Sequence, residues 1–268
     1  MDIPEQFSWI SNRKTLSIFV VFFALLFGAN SLMAQNKSYP FKQGEKMTYS
    51  VHFGWFNIGV AEVWIDPEFH YENGEPHYLV RCNIVSSPWF KLLKQIDMCF
   101  ESLVKASDLR PSTSIRDLKQ GGRIDIRRDQ FIFDDSIKVN AYVEDVDSHR
   151  NHAFARTNVP FRDALSSYLY LRNQDLLNLR EKLSVRTFFT NSLYEFNIAP
   201  DGSGRFKLMG DRIQTKEFKL FFPPSELVSK GQTGSVVVSA DERKIPLKFK
   251  LNLSLGSFML ELENISYE

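Results

Sequence analysis

From Ile245 to Leu255 every second residue is apolar: Ile245, Leu247, Phe249, Leu251, Leu253 and Leu255 share one face, opposed by Lys248, Lys250, Asn252 and Ser254. Side chains of an extended chain point alternately to its two sides, so this is a strand with one buried and one wet face. At Gly256 and Ser257 the phase flips and Phe258, Leu260 and Leu262 take the inward face, which predicts a hairpin turn or a bulge.

The same period governs most of the chain. Met47, Tyr49, Val51 and Phe53 alternate with Thr48, Ser50 and His52, and Phe56 to Ile65 is apolar on both faces, as in a central strand. Glu72 to Glu75 reads as a turn before Tyr78, Val80, Cys82 and Ile84, and Ile96, Met98, Phe100 and Val104 follow on one face. Turns are expected at Arg110–Ser112, Gly121–Gly122 and Asp134–Ser136, and again at Asp201–Gly204, between strands Tyr194–Ile198 and Phe206–Met209. Val185–Phe189 and Ile213–Phe222 complete the set, the latter stopped by Pro223 and Pro224.

Two segments break the pattern. In PFRDALSSYLYLR (Pro160 to Arg172) Asp163 is placed to cap a helix, and Leu165, Tyr168, Leu169 and Arg172 recur at helical spacing, giving an apolar face with a polar tip. In SSPWFKLLKQ, Ser87 as N-cap and Pro88 at the first position predict a short helix that presents Trp89, Phe90, Leu92 and Leu93 beside Lys91 and Lys94. This loop reads either as a lid or membrane-touching element, or as a connector tucking its rings over the end of the sheet.

Roughly a dozen strands with hairpin-length links imply a mainly β fold, a large antiparallel sheet that must curl. One main helix cannot cover such a sheet flat. The expected architecture is therefore a curved half-barrel or barrel-like sheet with that helix in or across its mouth, plus the short helical loop. The 24 Phe, 4 Trp and 9 Tyr fit the aromatic demand of strands.

The N-terminus reads as an address. Arg13 and Lys14 precede the apolar run Leu16 to Phe27, which is shorter than the roughly 20 residues of a membrane span, and small or neutral residues lead to Ala34. Residues 1–34 are expected to be a signal peptide and 35–268 a single sheet-rich domain without a transmembrane span, placed in a bacterial periplasm or, alternatively, secreted. The formal net charge of +1, with both signs interspersed, gives no field to draw nucleic acid, which is excluded as a partner.

Two cysteines exclude a disulfide-dense scaffold and a Cys-only zinc site. Cys82 falls on the apolar face of its strand and Cys99 on the polar face of the next, so adjacent regular strands point them apart; a bulge would be needed to join them. His149 and His152 lie in SHRNH, which reads as a polar linker and not as a metal site. A nucleophile elbow, a phosphate-cradling glycine loop and a zinc-protease helix motif are all lacking, so no catalytic residue, metal or cofactor is expected.

Four stretches, YSVHFGWFNIGVAEV (Tyr49 to Val63), DLRPSTSIRD (Asp108 to Asp117), PFRDALSSYLYLR and SADERKIPLKFKLNLSLGSFMLEL (Ser239 to Leu262), together resemble the domain of unknown function 3108 family of exported bacterial proteins. The resemblance implies a periplasmic, sheet-rich domain with no established activity and supplies no catalytic residues.

Two functional classes follow. One is a binding or carrier module whose concave, aromatic-lined face holds a lipid or other apolar molecule, with Trp55, Trp64, Trp89, Phe90, Leu93 and Tyr168 as ligand-binding candidates. The other is a structural or interaction protein of the cell envelope, filled by its own side chains and engaging a protein partner. An enzyme acting on envelope glycans or lipids ranks third. Replacing Trp89 and Phe90 with Ala is expected to weaken binding and change stability little.

Overall fold

A computed structural model describes residues 39–120, 123–133, 137–145, 148–157, 160–189, 192–222, 233–253 and 256–268. Residues 1–38, which include the expected leader, the turns expected at Gly121–Gly122 and Asp134–Ser136, and Leu255 lie outside these residues. In chain order the strands are β1 (Glu45–Phe53), β2 (Phe56–Glu72) and β3 (Glu75–Ser86), then the one-turn helix α1 (Pro88–Lys91). Next come β4 (Ile96–Lys105), β5 (Pro111–Gln120), β6 (Arg123–Phe133), β7 (Ile137–Asp145) and β8 (Ser148–Thr157), followed by the helix α2 (Ala164–Arg172). The chain closes with β9 (Leu183–Phe189), β10 (Ser192–Leu208), β11 (Asp211–Phe221), β12 (Thr233–Ser239), β13 (Pro246–Leu253) and β14 (Gly256–Tyr267).

All of them form one 14-stranded antiparallel sheet in the order β8-β7-β6-β5-β4-β3-β2-β1-β14-β13-β12-β11-β10-β9. Every neighbouring pair is a sequence-adjacent hairpin except β1–β14, which splices a β1–β8 arm to a β9–β14 arm. The sheet is not closed, since β8 and β9 stand at its two edges. It is strongly curled: α2 touches β3 and β4 in one arm and β9 at the far edge of the other, which a flat sheet would hold far apart.

The alternation predicted from sequence sets which face turns inward. Met47, Tyr49, Val51 and Phe53 of β1 are all buried, as are Leu247, Phe249 and Leu251 of β13 and Phe258, Leu260 and Leu262 of β14. The phase flip at Gly256 is a hairpin, with Leu253 opposite Gly256. The two arms meet across a seam of rings. Phe131 of β6 and Phe188 of β9 lie with centroids 5.9 Å apart, and Phe161 packs on both. Arg162 pairs in parallel with Thr187, extending the open edge of β9.

The structure corrects four expectations. The turn expected at Arg110–Ser112 falls earlier, at residues 106–108, because Pro111 and Ser112 already belong to β5. The Asp201–Gly204 stretch is no turn but the middle of the long strand β10, which absorbs its glycines with a register shift between Pro200 and Gly202. The SHRNH segment is a strand, β8, paired along β7, so the linker reading fails. Helix α2 is buried on every side, from Ala164 to Arg172, where the sequence suggested one apolar face with a polar tip. A sheet wrapped around a helix leaves it no solvent face.

Candidate functional site

At one end of the sheet the β1–β2 hairpin and α1 form a continuous apolar surface. Gly54 (φ +60°) supplies the left-handed turn residue that puts Trp55 at the hairpin tip, 84% exposed. The Trp55 and Phe56 rings are in tilted contact with centroids 4.2 Å apart, and Phe56 meets Trp89 of α1 at 6.0 Å. Leu92, just past α1, is 88% exposed, and the register partners Val60 and Val85 continue the exposed apolar surface onto β2 and β3. Lys91 and Lys94 flank it. Partial burial pulls the Lys94 pKa below its ordinary value.

Local bonding holds this end rigid. The Ser86 hydroxyl accepts from the Ile96 backbone N–H at 2.8 Å and donates to the Lys94 carbonyl at 3.0 Å, clamping both ends of the α1 loop. The Trp89 indole N–H donates to the Asn57 carbonyl at 2.8 Å, tying α1 to β2. Gly59 lets the two strands approach behind it; a Cβ there would lie 2.4 Å from the Val85 carbonyl oxygen. Phe90 points the other way, into the core at 1% exposure.

The six candidate residues therefore divide. Trp55, Trp89, Phe90 and Leu93 gather at this end, with Phe90 serving as its buried anchor and Leu93 half-buried against the core. Trp64 stands apart along β2, where the Arg81 guanidinium covers its ring at 5.0 Å. Tyr168 is in the interior on α2, 2% exposed. The ligand-binding candidates left out Leu92, which the sequence had placed in the same loop, as well as Phe56 and the anchoring Asn57; the glycine directly before Trp55 was the available signal for an exposed tip.

Around Tyr168 the interior is polar but satisfied. Arg172 donates through Nη1 to Glu45 Oε1 and, at 3.0 Å, to the Tyr168 hydroxyl. Its Nη2 donates to Glu45 Oε2 and to the Pro40 carbonyl, both at 3.1 Å, and its Nε to the Arg243 carbonyl at 3.1 Å. All five guanidinium donors are thus used. Burial works against the Arg172 charge, but Tyr168 and Glu45 outweigh it and hold the guanidinium above its ordinary value, while burial pushes the Tyr168 hydroxyl up.

A second charged group lies where α2 begins. Asp163 caps the helix by accepting from the Ser166 N–H at 2.8 Å, and its own backbone N–H donates to Ser166 Oγ at 3.0 Å. Burial raises the Asp163 pKa despite those bonds. Nearby, Arg127 Nε donates to both oxygens of Asp129 at 2.8 Å. Together with Arg116, Leu165 and Phe188 these residues line a cleft of about 30 Å³, room for a water or two and far too small for an acyl chain.

Among the described residues no group of three or more His, Cys, Asp and Glu is gathered to hold a metal. Cys82 lies opposite Phe100, and Cys99 opposite Asn83, in a regular β3–β4 register, so both thiols are free. Burial pushes the Cys82 thiol well up, away from reactivity. No helix among these residues is long and apolar enough to cross a membrane.

Fold and surface together define an open, barrel-like antiparallel β protein wrapped on a buried helix, with an exposed aromatic surface at one end. The chain belongs to the family described as protein of unknown function (DUF3108), whose pattern matches residues 48–263. Among solved structures it is similar to a β-barrel-like protein of domain of unknown function DUF1849 from Brucella abortus, with a TM-score of 0.57 at 7% identity over 85% of this chain and 99% of that one. That likeness is one of fold. A candidate lipoprotein from Parabacteroides distasonis ATCC 8503 aligns at TM-score 0.34 and 9% identity over 87% of this chain and 100% of that one. No curated protein matches the sequence.

The stretches carrying the family resemblance are physically joined. Arg162 of PFRDALSSYLYLR donates to the Leu109 carbonyl and, at 3.2 Å, to the Asp108 carbonyl of DLRPSTSIRD. Arg172 reaches Arg243 of the C-terminal stretch, and the Tyr49 hydroxyl donates to the Pro246 carbonyl at 2.9 Å.

Proposed function

We propose that this is an exported protein of the bacterial envelope that works by surface contact, through its aromatic end, and not by carrying a ligand inside. The observation that carries this reading is the placement of α2: every residue from Ala164 to Arg172 is buried, so the helix occupies the concave face a cargo would need. Tyr168, a candidate ligand contact, is committed to Arg172 instead. Meanwhile Trp55, which continues the inward parity of Met47, Tyr49, Val51 and Phe53, and Leu92 are held out in water. Large aromatic and aliphatic side chains left out on a rigid frame mark interaction surfaces. Burying a side chain of this size gains about 1.5–3 kcal/mol, so a few of them suffice for a reversible contact.

The test is photo-crosslinking in intact cells, with benzoylphenylalanine replacing Trp55 or, as a control, Arg212, an exposed residue where β11 begins at the opposite end of the sheet. Adducts from position 55 and none from 212 support the reading. Equal yields, or none from 55, refute it.

A further inference from the structure

Resting on the reading of this end as the contact surface, we propose that its partner is a lipid bilayer containing anionic phospholipid. Three observations favour a membrane over a protein. First, the most exposed groups, Trp55 and Leu92, are joined by the half-exposed Trp89, and two lysines, Lys91 and Lys94, sit beside them in the same loop, with Asp97 the nearest acidic position in sequence. Trp at the headgroup level with Lys reaching toward anionic lipid is the composition of an interfacial anchor, whereas Lys is depleted from the core of protein interfaces.

Second, the indole of Trp89 and the backbone donors of the α1 turn, which would enter the bilayer, are already satisfied. The Trp89 indole N–H is spent on the Asn57 carbonyl, and the backbone N–H groups of Lys91, Leu93 and Lys94 donate to Ser87 and Phe90 carbonyls at 2.8–2.9 Å. Inserting this turn leaves those donors paired, which is what a hydrocarbon boundary demands. Third, the surface is a projecting knob on a clamped loop. It has the shape of something that enters a soft layer to shallow depth, and it is preorganised, so little ordering opposes insertion.

The experiment is vesicle flotation of the exported protein, as processed by its host, with phosphatidylethanolamine–phosphatidylglycerol vesicles and with phosphatidylcholine vesicles. The protein is expected to float with the anionic vesicles. Binding should fall about 10-fold or more in Trp55→Ala/Leu92→Ala, and severalfold in Lys91→Glu/Lys94→Glu or at about 0.5 M salt. Unchanged melting temperatures in both variants keep misfolding out of the comparison. Failure to float, or floating undiminished after Trp55→Ala/Leu92→Ala, overturns the membrane proposal. If flotation fails while position 55 still crosslinks to protein in cells, the contact reading stands and a protein takes the place of the bilayer. If neither is seen, both fall.

Discussion

Arg172 and Glu45 form a bidentate ion pair across 127 residues of sequence, with side chains 1% and 2% exposed. The pair fastens the end of α2 to the start of β1, the strand through which the two arms of the sheet are spliced. The buried helix is thus locked to the strand that organises the sheet.

Breaking this pair from one side should be severe. Glu45→Gln or Arg172→Met strands a buried partner and is expected to cost about 3–5 kcal/mol, measured by urea unfolding. The double replacement Arg172→Met/Glu45→Met removes both charges and should be less destabilised than the sum of the singles.

The α1 loop should separate anchor from contact. Phe90→Ala is expected to lose about 3–5 kcal/mol, because it opens a cavity in the core. Trp55→Ala and Leu92→Ala should stay within about 0.5 kcal/mol of the parent in thermal and chemical unfolding. The sequence-based expectation that Phe90 could be replaced at little cost is revised accordingly.

Asp163 gives a pH dependence with a definite sign. Its folded-state pKa is raised by burial, so the folded protein holds this proton more tightly than the unfolded chain. Its contribution is greatest below the ordinary carboxylate range and is lost as pH rises through that range toward the raised value. Asp163→Asn keeps an acceptor for the Ser166 N–H without the charge. Its stability relative to the parent should therefore improve as pH rises above the ordinary carboxylate range of about 4, read from urea midpoints. A constant difference would contradict this.

The cysteines should both remain thiols in the protein purified from its host. Alkylation in denaturant without reductant, followed by intact mass, is expected to add two groups per chain; none would reveal a disulfide, contrary to the β3–β4 register.

Much of this fold was legible because period-two alternation is a local signal. The buried faces of β1, β13 and β14 and the Asp163 cap follow from neighbouring residues alone. What escaped depended on partners far away. The glycines of Asp201–Gly204 resemble a turn, but pairing with β11 holds them extended. Arg172 looked like a polar tip because its counter-ion lies at Glu45. In the candidate site, Trp89 and Phe90 are adjacent in sequence, and only the packing of α1 on β2 decides that one faces water and the other the core.

The central claim, a filled interior with action at the surface, is tested most directly by native mass spectrometry of the protein purified from its host, with lipid extraction of the same sample. The account predicts the mass of the polypeptide alone, and any weakly held lipid lost in Trp55→Ala/Leu92→Ala. An apolar molecule retained at one per chain in that variant would place a ligand inside the sheet and contradict the account.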